Sequence, residues 1–482
     1  MSALNNSRTL EREFPIYPVV GLAGIIWGTV AAINIIPEDP SPAGALLFPA
    51  LVMTVGIMVA PLVACIRSRR TIFRVEHILV FSPIYWLLLD LIQGAYPVEN
   101  VSRQSIEGSF WAICLFICGV WVATLFRPLP LPGFLVKASS YDLEPKIIFQ
   151  LVLIFFTLGF LRFAIPSNFD PIVMFNGLIA ARWSAPWGRG QLGGWDSFLD
   201  HLSYFGYLLP TLTVLLAQKT GWRDRRVITS IFLSLVIIAF LAQGGGRRII
   251  GVIIGSAIIC WIIQQKSLNF FRVIGLAMSF GLLLAAMQLM LEYRNAGVQV
   301  ELSGESKELQ YEYLHVDDNF LRLTQIIEIV PAAHPYVYEK QILFVLIRPI
   351  PRVFWAGKPI DPGFDLPAAL GAQGVSLSSS AIGEFYLSGG MYGVFAGGFF
   401  YGILAHMVSL LLLRLQGRSG ILVYSLSTLT LFAGMRSLQE LVLMSYTVLA
   451  WVVISRMMIN KKKTKQDSNL YPTPSTHRNP QQ

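Results

Sequence analysis

Residues 227–264 read "VITSIFLSLVIIAFLAQGGGRRIIGVIIGSAIICWIIQ", and the fold turns on them. Two uncharged apolar runs, 227–242 and 249–264, flank three glycines and the pair Arg247 and Arg248. Each run fits one short transmembrane helix, a few residues below the roughly 20 that cross a bilayer, so the pair reads as a hairpin. A hairpin that short draws its tip below the membrane surface, where irregular backbone survives only against protein or a wet cavity. Lipid penalises charge there, so the two arginines need a reason.

Similar apolar runs recur along the whole chain. Its 482 residues are 54% hydrophobic and 13% charged, with a mean hydropathy of +0.59, which excludes a soluble enzyme and describes a polytopic membrane protein. The sequence predicts an all-α helix bundle of about twelve spans: 16–36, 43–66, 78–96, 108–126, 147–165, 196–218, 227–242, 249–264, 273–291, 388–413, 421–435 and 441–459. These boundaries give one membrane domain over 1–459, a large external loop at about 292–387 between spans nine and ten, and a disordered polar tail over 460–482. The apolar run after Arg8, Glu11, Arg12 and Glu13 is too long for a signal-peptide core and is followed by no small-residue cleavage site, so no removed leader is expected.

An even number of spans puts both ends on one side. With that side cytoplasmic, it collects Arg67/Arg69/Arg70, Lys219/Arg223/Arg225/Arg226, Lys266/Arg272, Arg414/Arg418 and the lysines of the tail, as the positive-inside bias demands. The net charge of +9 is thereby spent on topology and lipid headgroups; no basic cluster interleaved with aromatics points to nucleic acid. Cys65, Cys114, Cys118 and Cys260 fall inside spans without metal or disulfide spacing and read as small core residues.

Basic residues left outside oppose this orientation. Arg247 and Arg248 start a helix after a glycine turn, where free N–H groups and the helix dipole favour an anion, and two guanidiniums suit a phosphate or diphosphate. Snorkelling to lipid phosphates is the simpler alternative for either arginine. A second short hairpin, "FAGMRSLQE" (432–440), places Arg436 at a comparable depth with Glu440 one turn on. In the external loop, "LIRPIPRVFWAGKPIDPG" (346–363) carries Arg348, Arg352 and Lys358 along a stretch that Pro349, Pro351 and Pro359 should hold extended, with cations toward one cavity or simply on a surface turn. An amphipathic helix is expected in "DNFLRLTQIIEIV", residues 318–330. The segment 167–194 adds Arg182 and Arg189 and is expected to hold a short interfacial helix, with Trp183 and Trp187 at headgroup level.

Glu384, in "SLSSSAIGEFYLSGGMYG" (376–393), sits just before span ten and is the candidate general base toward a hydroxyl, or else an ion-pair partner for one of the arginines. His315 and Asp317, in "YLHVDDNFLR", are the alternative base. Asp90 is an acid inside an apolar run, functional by default unless a neighbouring helix hydrogen-bonds it. His201 and His406 read as satisfied helix-packing residues.

Gly-Gly-Gly-Arg-Arg at a hairpin tip, "PIPRVFWAGKP" in a large external loop and "GEFYLSGGMYGVFAG" entering the next span together resemble the bacterial oligosaccharide repeat-unit polymerases, the Wzy-type O-antigen polymerases. "ARWSAPWGRGQLGGWDSFL" (181–199) is similar to the segment these proteins carry before a middle span, and the resemblance covers roughly 170–440. It implies a GT-C-like glycosyltransferase of the inner membrane, with no cofactor, metal or nucleotide sugar. Such an enzyme moves a growing glycan from undecaprenyl diphosphate onto a lipid-linked repeat unit at the periplasmic face, and admits a chain-length regulator as protein partner. Arg247 and Arg248 then take the diphosphate, Arg352, Lys358 and Arg436 support them, and Glu384 is base or acceptor-positioning group. The chain lacks the His-Asn pair associated with O-antigen ligases. A flippase or transporter of lipid-linked oligosaccharide, or an O-antigen ligase, is the competing expectation, and no protease motif occurs in a span.

Overall fold

The computed structural model describes residues 16–67, 69–188, 196–243, 246–265, 270–293, 297, 313–352, 354–359, 361–372, 377–413 and 418–470. Among them every regular element is a helix. Among the described residues, nine helices are long and apolar enough to cross a membrane. They are α1 (Ile16–Asn34), α2 (Leu47–Arg67), α3 (Val75–Ile92), α4 (Arg103–Leu125), α6 (Pro145–Ala164), α10 (Arg225–Gln243), α12 (Phe270–Tyr293), α15 (Ser380–Leu413) and α17 (Leu438–Leu470). Between them lie α5 (Gly133–Ser139), α7 (Pro171–Ile179), α8 (Asp196–Gly206), α9 (Leu209–Thr220), α11 (Arg247–Gln264), α13 (Asn319–Ile329), α14 (Glu339–Ile347) and α16 (Arg418–Gly434).

Three expected spans take another form. The runs 249–264 and 421–435 become the shorter apolar helices of α11 and α16, as their length dictates. The run 196–218 is broken at Tyr207–Leu208 into α8 and α9; Pro210 sits in the first turn of α9, where its missing N–H is harmless, but could not continue α8. Further along, α17 runs to Leu470, past the expected helix boundary at 459, because nothing from Asn460 onward breaks a helix before Pro472.

The core is built by close backbone contact. Helix α4 lies against α15, where a Cβ on Gly119 or Gly398 would strike the backbone of Phe395 or Phe116. Helices α1 and α2 meet at Gly28 and Gly56 in the same way. Lipid is as apolar as leucine, so small residues that let helices touch are what drives such pairs together. Helix α16 packs on α11, α15 and α17, while α9 packs on α6, α10 and α11.

Two helices are interrupted. Downstream of Pro83, α3 widens into a π-turn at Ile84–Leu88, two residues before Asp90. In α15, Gly389 (φ −172°) and Gly390 (φ 61°) break the helix into two pieces. Its first piece begins at Ser380, before the expected 388, so Glu384 lies on a helix and not in a loop.

Candidate functional site

Five chain segments end together at one end of the bundle: the C-terminal end of α3, the start of α11, the segment 313–319, the start of α15 and the turn 435–437 between α16 and α17. Arg247 makes the central junction. Its Nη1 donates to the His315 carbonyl at 2.6 Å and its Nη2 to the Val316 carbonyl at 2.9 Å. The same Nη2 stands 3.7 Å from Asp317 Oδ1, and Arg436 Nε donates to Asp317 Oδ2 at 2.6 Å. The arginines of the two short hairpins thus share one carboxylate from the segment that leads into α13. Burial works against the Arg436 charge, but Asp317 more than restores it and holds the guanidinium above its ordinary value.

The rest of 313–319 is equally fixed. Val316 N–H donates to Asp90 Oδ1 (3.1 Å), Gln93 pairs with the backbone of Leu314, and Asn319 Nδ2 donates to the Trp86 carbonyl (3.0 Å). Asp90, nearly sealed from solvent at 3% exposure, therefore anchors the loop. Asp318 pairs with Arg322 at 3.0 Å.

Glu384 is 5% exposed. Its Oε2 accepts from the Leu438 N–H at 2.9 Å, capping the start of α17, and Ser379 Oγ is 3.5 Å from Oε1. Gln341 on α14 hydrogen-bonds it from the loop side, and the Arg436 charge acts on it. Ser378 Oγ donates to the Arg436 carbonyl at 3.0 Å. Glu384 thus holds the turn that presents Arg436.

The stretch 346–363 is folded, not extended. Successive tight turns run through it, Phe354 N–H to Pro351, Trp355 N–H to Arg352 and Lys358 N–H to Trp355, because proline fixes φ where such turns need it. Lys358 Nζ donates to the carbonyls of Arg348 (3.0 Å) and Ile350 (2.7 Å), so this cation ties its own loop together and does not face a shared cavity. Burial, then the charges of Arg348 and Arg352, hold its ammonium below the usual lysine value. Arg348 lies over the Phe344 ring (5.3 Å), and His201 touches the Pro349 carbonyl. Leu343, Leu346 and Phe354 (68%) leave an apolar face exposed beside these cations.

A short helix, α7, forms in the segment where an interfacial helix was expected, with Ile172 71% exposed. Trp183 is exposed with Arg182 stacked on it at 4.4 Å. Trp187 is turned into the protein: it is buried against Phe163 and Phe240, and its Nε1 donates to Gln243 at the end of α10 (3.0 Å). Arg189, Gly244, Gly245 and the side chain of Arg248 lie outside the described residues.

Sequence reading passed over Glu76. It is fully buried at the far end of α3, accepts from His406 Nδ1 at 2.6 Å and pairs with Arg74 at 3.1 Å. An acid opening an apolar run was the available signal. His406 is satisfied, as expected, by a partner 330 residues away.

A family model described as a domain of unknown function (DUF8712) matches residues 202–460. That is more than half of the chain, which belongs to this family. The matched region carries α11, 313–319, Glu384 and Arg436, the whole junction except its α3 residues Trp86, Asp90 and Gln93. No curated protein and no solved structure matches the chain.

Proposed function

We propose that the protein is a GT-C-like membrane glycosyltransferase of about twelve spans, joining undecaprenyl diphosphate-linked oligosaccharide repeat units into O-antigen or a related surface polysaccharide. It works at the periplasmic face of the bacterial inner membrane, with both termini cytoplasmic. The observation that carries this reading is the Arg247–Asp317–Arg436 junction, two hairpin-tip guanidiniums converging on one anion. The Asp317 carboxylate stands where a diphosphate oxygen binds when substrate displaces it. The apolar face of 343–354, beside Arg348 and Arg352, suits a lipid carrier approaching from the outer leaflet.

In this mechanism an acceptor sugar hydroxyl attacks the anomeric carbon of the donor glycan. The bond from that carbon to the phosphate oxygen breaks, and Arg247 and Arg436 stabilise the charge gathering on the departing lipid diphosphate. Asp317, released from its arginines, takes the hydroxyl proton. The geometry favours Asp317 over Glu384 as base, because Glu384 is committed to Leu438 N–H; Glu384 positions Arg436. Gel analysis of surface glycan from a deletion strain tests the reading. Loss of long chains with single repeats retained, and their return on complementation, is the expected outcome; unchanged ladders in the deletion strain contradict it.

A further inference from the structure

Beside the arginine junction lies a second group of donors that the proposed chemistry does not use. One ligand atom from each of Asp90, His315 and Asp318 lies within 4.8 Å of the others. His315 Nδ1 and Asp318 Oδ1 are 3.9 Å apart. That is too long for a hydrogen bond, yet short enough for two bonds of about 2.0–2.2 Å to meet on one ion at a wide angle. The carboxylates are steadied at their other oxygens or from behind: Val316 N–H holds Asp90 Oδ1, and Arg322 holds Asp318 Oδ2. Such outer partners orient first ligands at metal sites. Tyr313 Oη stands 3.4 Å from His315 Nδ1.

Tyr96 supplies an independent observation. Its hydroxyl is buried and completes no hydrogen bond, although the Leu321 backbone lies beside it. The Asp90 and Asp318 carboxylates are among the charges that act on it. A buried hydroxyl left without a partner calls for a water or ligand in reach.

We infer that Asp90, His315 and Asp318 form a site for a first-row divalent cation, with a bound water meeting Tyr96. One imidazole and two carboxylates suit Mn²⁺, Fe²⁺ or Zn²⁺; Ca²⁺ and Mg²⁺ prefer all-oxygen sets. The ion ties the end of α3 to the segment that presents Asp317. The inference does not rest on the glycosyl-transfer reading, since it places the ion on the loop and not on reacting atoms. No metal ligand was expected from the sequence, because Asp90 lies 225 or more positions before its partners.

The test is titration of chelator-stripped protein in detergent with Mn²⁺, free ion being read by electron paramagnetic resonance. Wild type and the exposed-carboxylate control Glu38→Gln should each bind one Mn²⁺ saturably and unfold at a higher temperature with it. Asp318→Asn and His315→Gln should bind at least tenfold more weakly. Unfolding curves of the metal-free variants show that they are folded. No saturable binding by wild type, or undiminished binding by the folded variants, overturns the assignment.

Discussion

Arg247 and Arg436 were legible as residues because each opposed the orientation that the other charges set, and charge placed against topology needs a local reason. What each touches was not legible. Their shared partner Asp317 lies 119 positions before Arg436, and the Arg247 contacts span 68 positions, distances over which one sequence carries no pairing signal. Arg436→Ala leaves Asp317 with Arg247 alone and removes one preorganised cation, a change that costs roughly 10²–10³ in turnover at comparable sites. Strains carrying it should keep the protein in the membrane and lose long glycans; wild-type ladders would detach Arg436 from the site. Lys358 shows the opposite lesson: its charge looked available, but two carbonyls of its own loop take it.

Glu328 on α13 offers a pH measurement at the same scale. Ser102 and Ser105 donate to it and hold its carboxyl below the ordinary glutamate value. The folded state therefore favours the ionised form. That contribution is complete above the unfolded glutamate value of about 4.3 and fades as pH falls through the lower folded value. Glu328→Gln should unfold at a lower temperature than wild type near neutrality, with the gap narrowing in acid. A gap that does not depend on pH would sever the Ser102 and Ser105 link.

Among the elements, the long apolar helices could be read from hydropathy, while the breaks could not. The start of α15 looked like a loop because "SLSSS" and "SGGMYG" are rich in serine and glycine. It is helical because Ala381, Ile382, Phe385 and Leu387 are buried in the core, and packing overrode composition. At the break, Gly390 has no room for a side chain and a backbone that disfavours one, since φ is 61° and a Cβ would stand 2.8 Å from Tyr336 Oη. Gly390→Ala should cost about 1–3 kcal/mol from the backbone alone. Thermal unfolding in detergent checks this; an unchanged midpoint would mean that the break is not held in place by its surroundings.

At the scale of the whole molecule, hydrophobic patterning was enough to predict a helical membrane bundle, and the helices bear that out. Pairing of the ends of α3, α11 and α15 with the segment 313–319 and the turn 435–437 was beyond it, because each contact joins groups far apart in the chain. The central claim is that this junction transfers glycan from one lipid diphosphate to another. Purified protein in proteoliposomes, supplied with undecaprenyl diphosphate-linked repeat units alone, measures it most directly. The account predicts products lengthened by whole repeats, with release of free undecaprenyl diphosphate, and loss of both with Arg247→Ala. Labelled lipid-linked sugar that crosses the bilayer without lengthening would contradict it and make the protein a flippase.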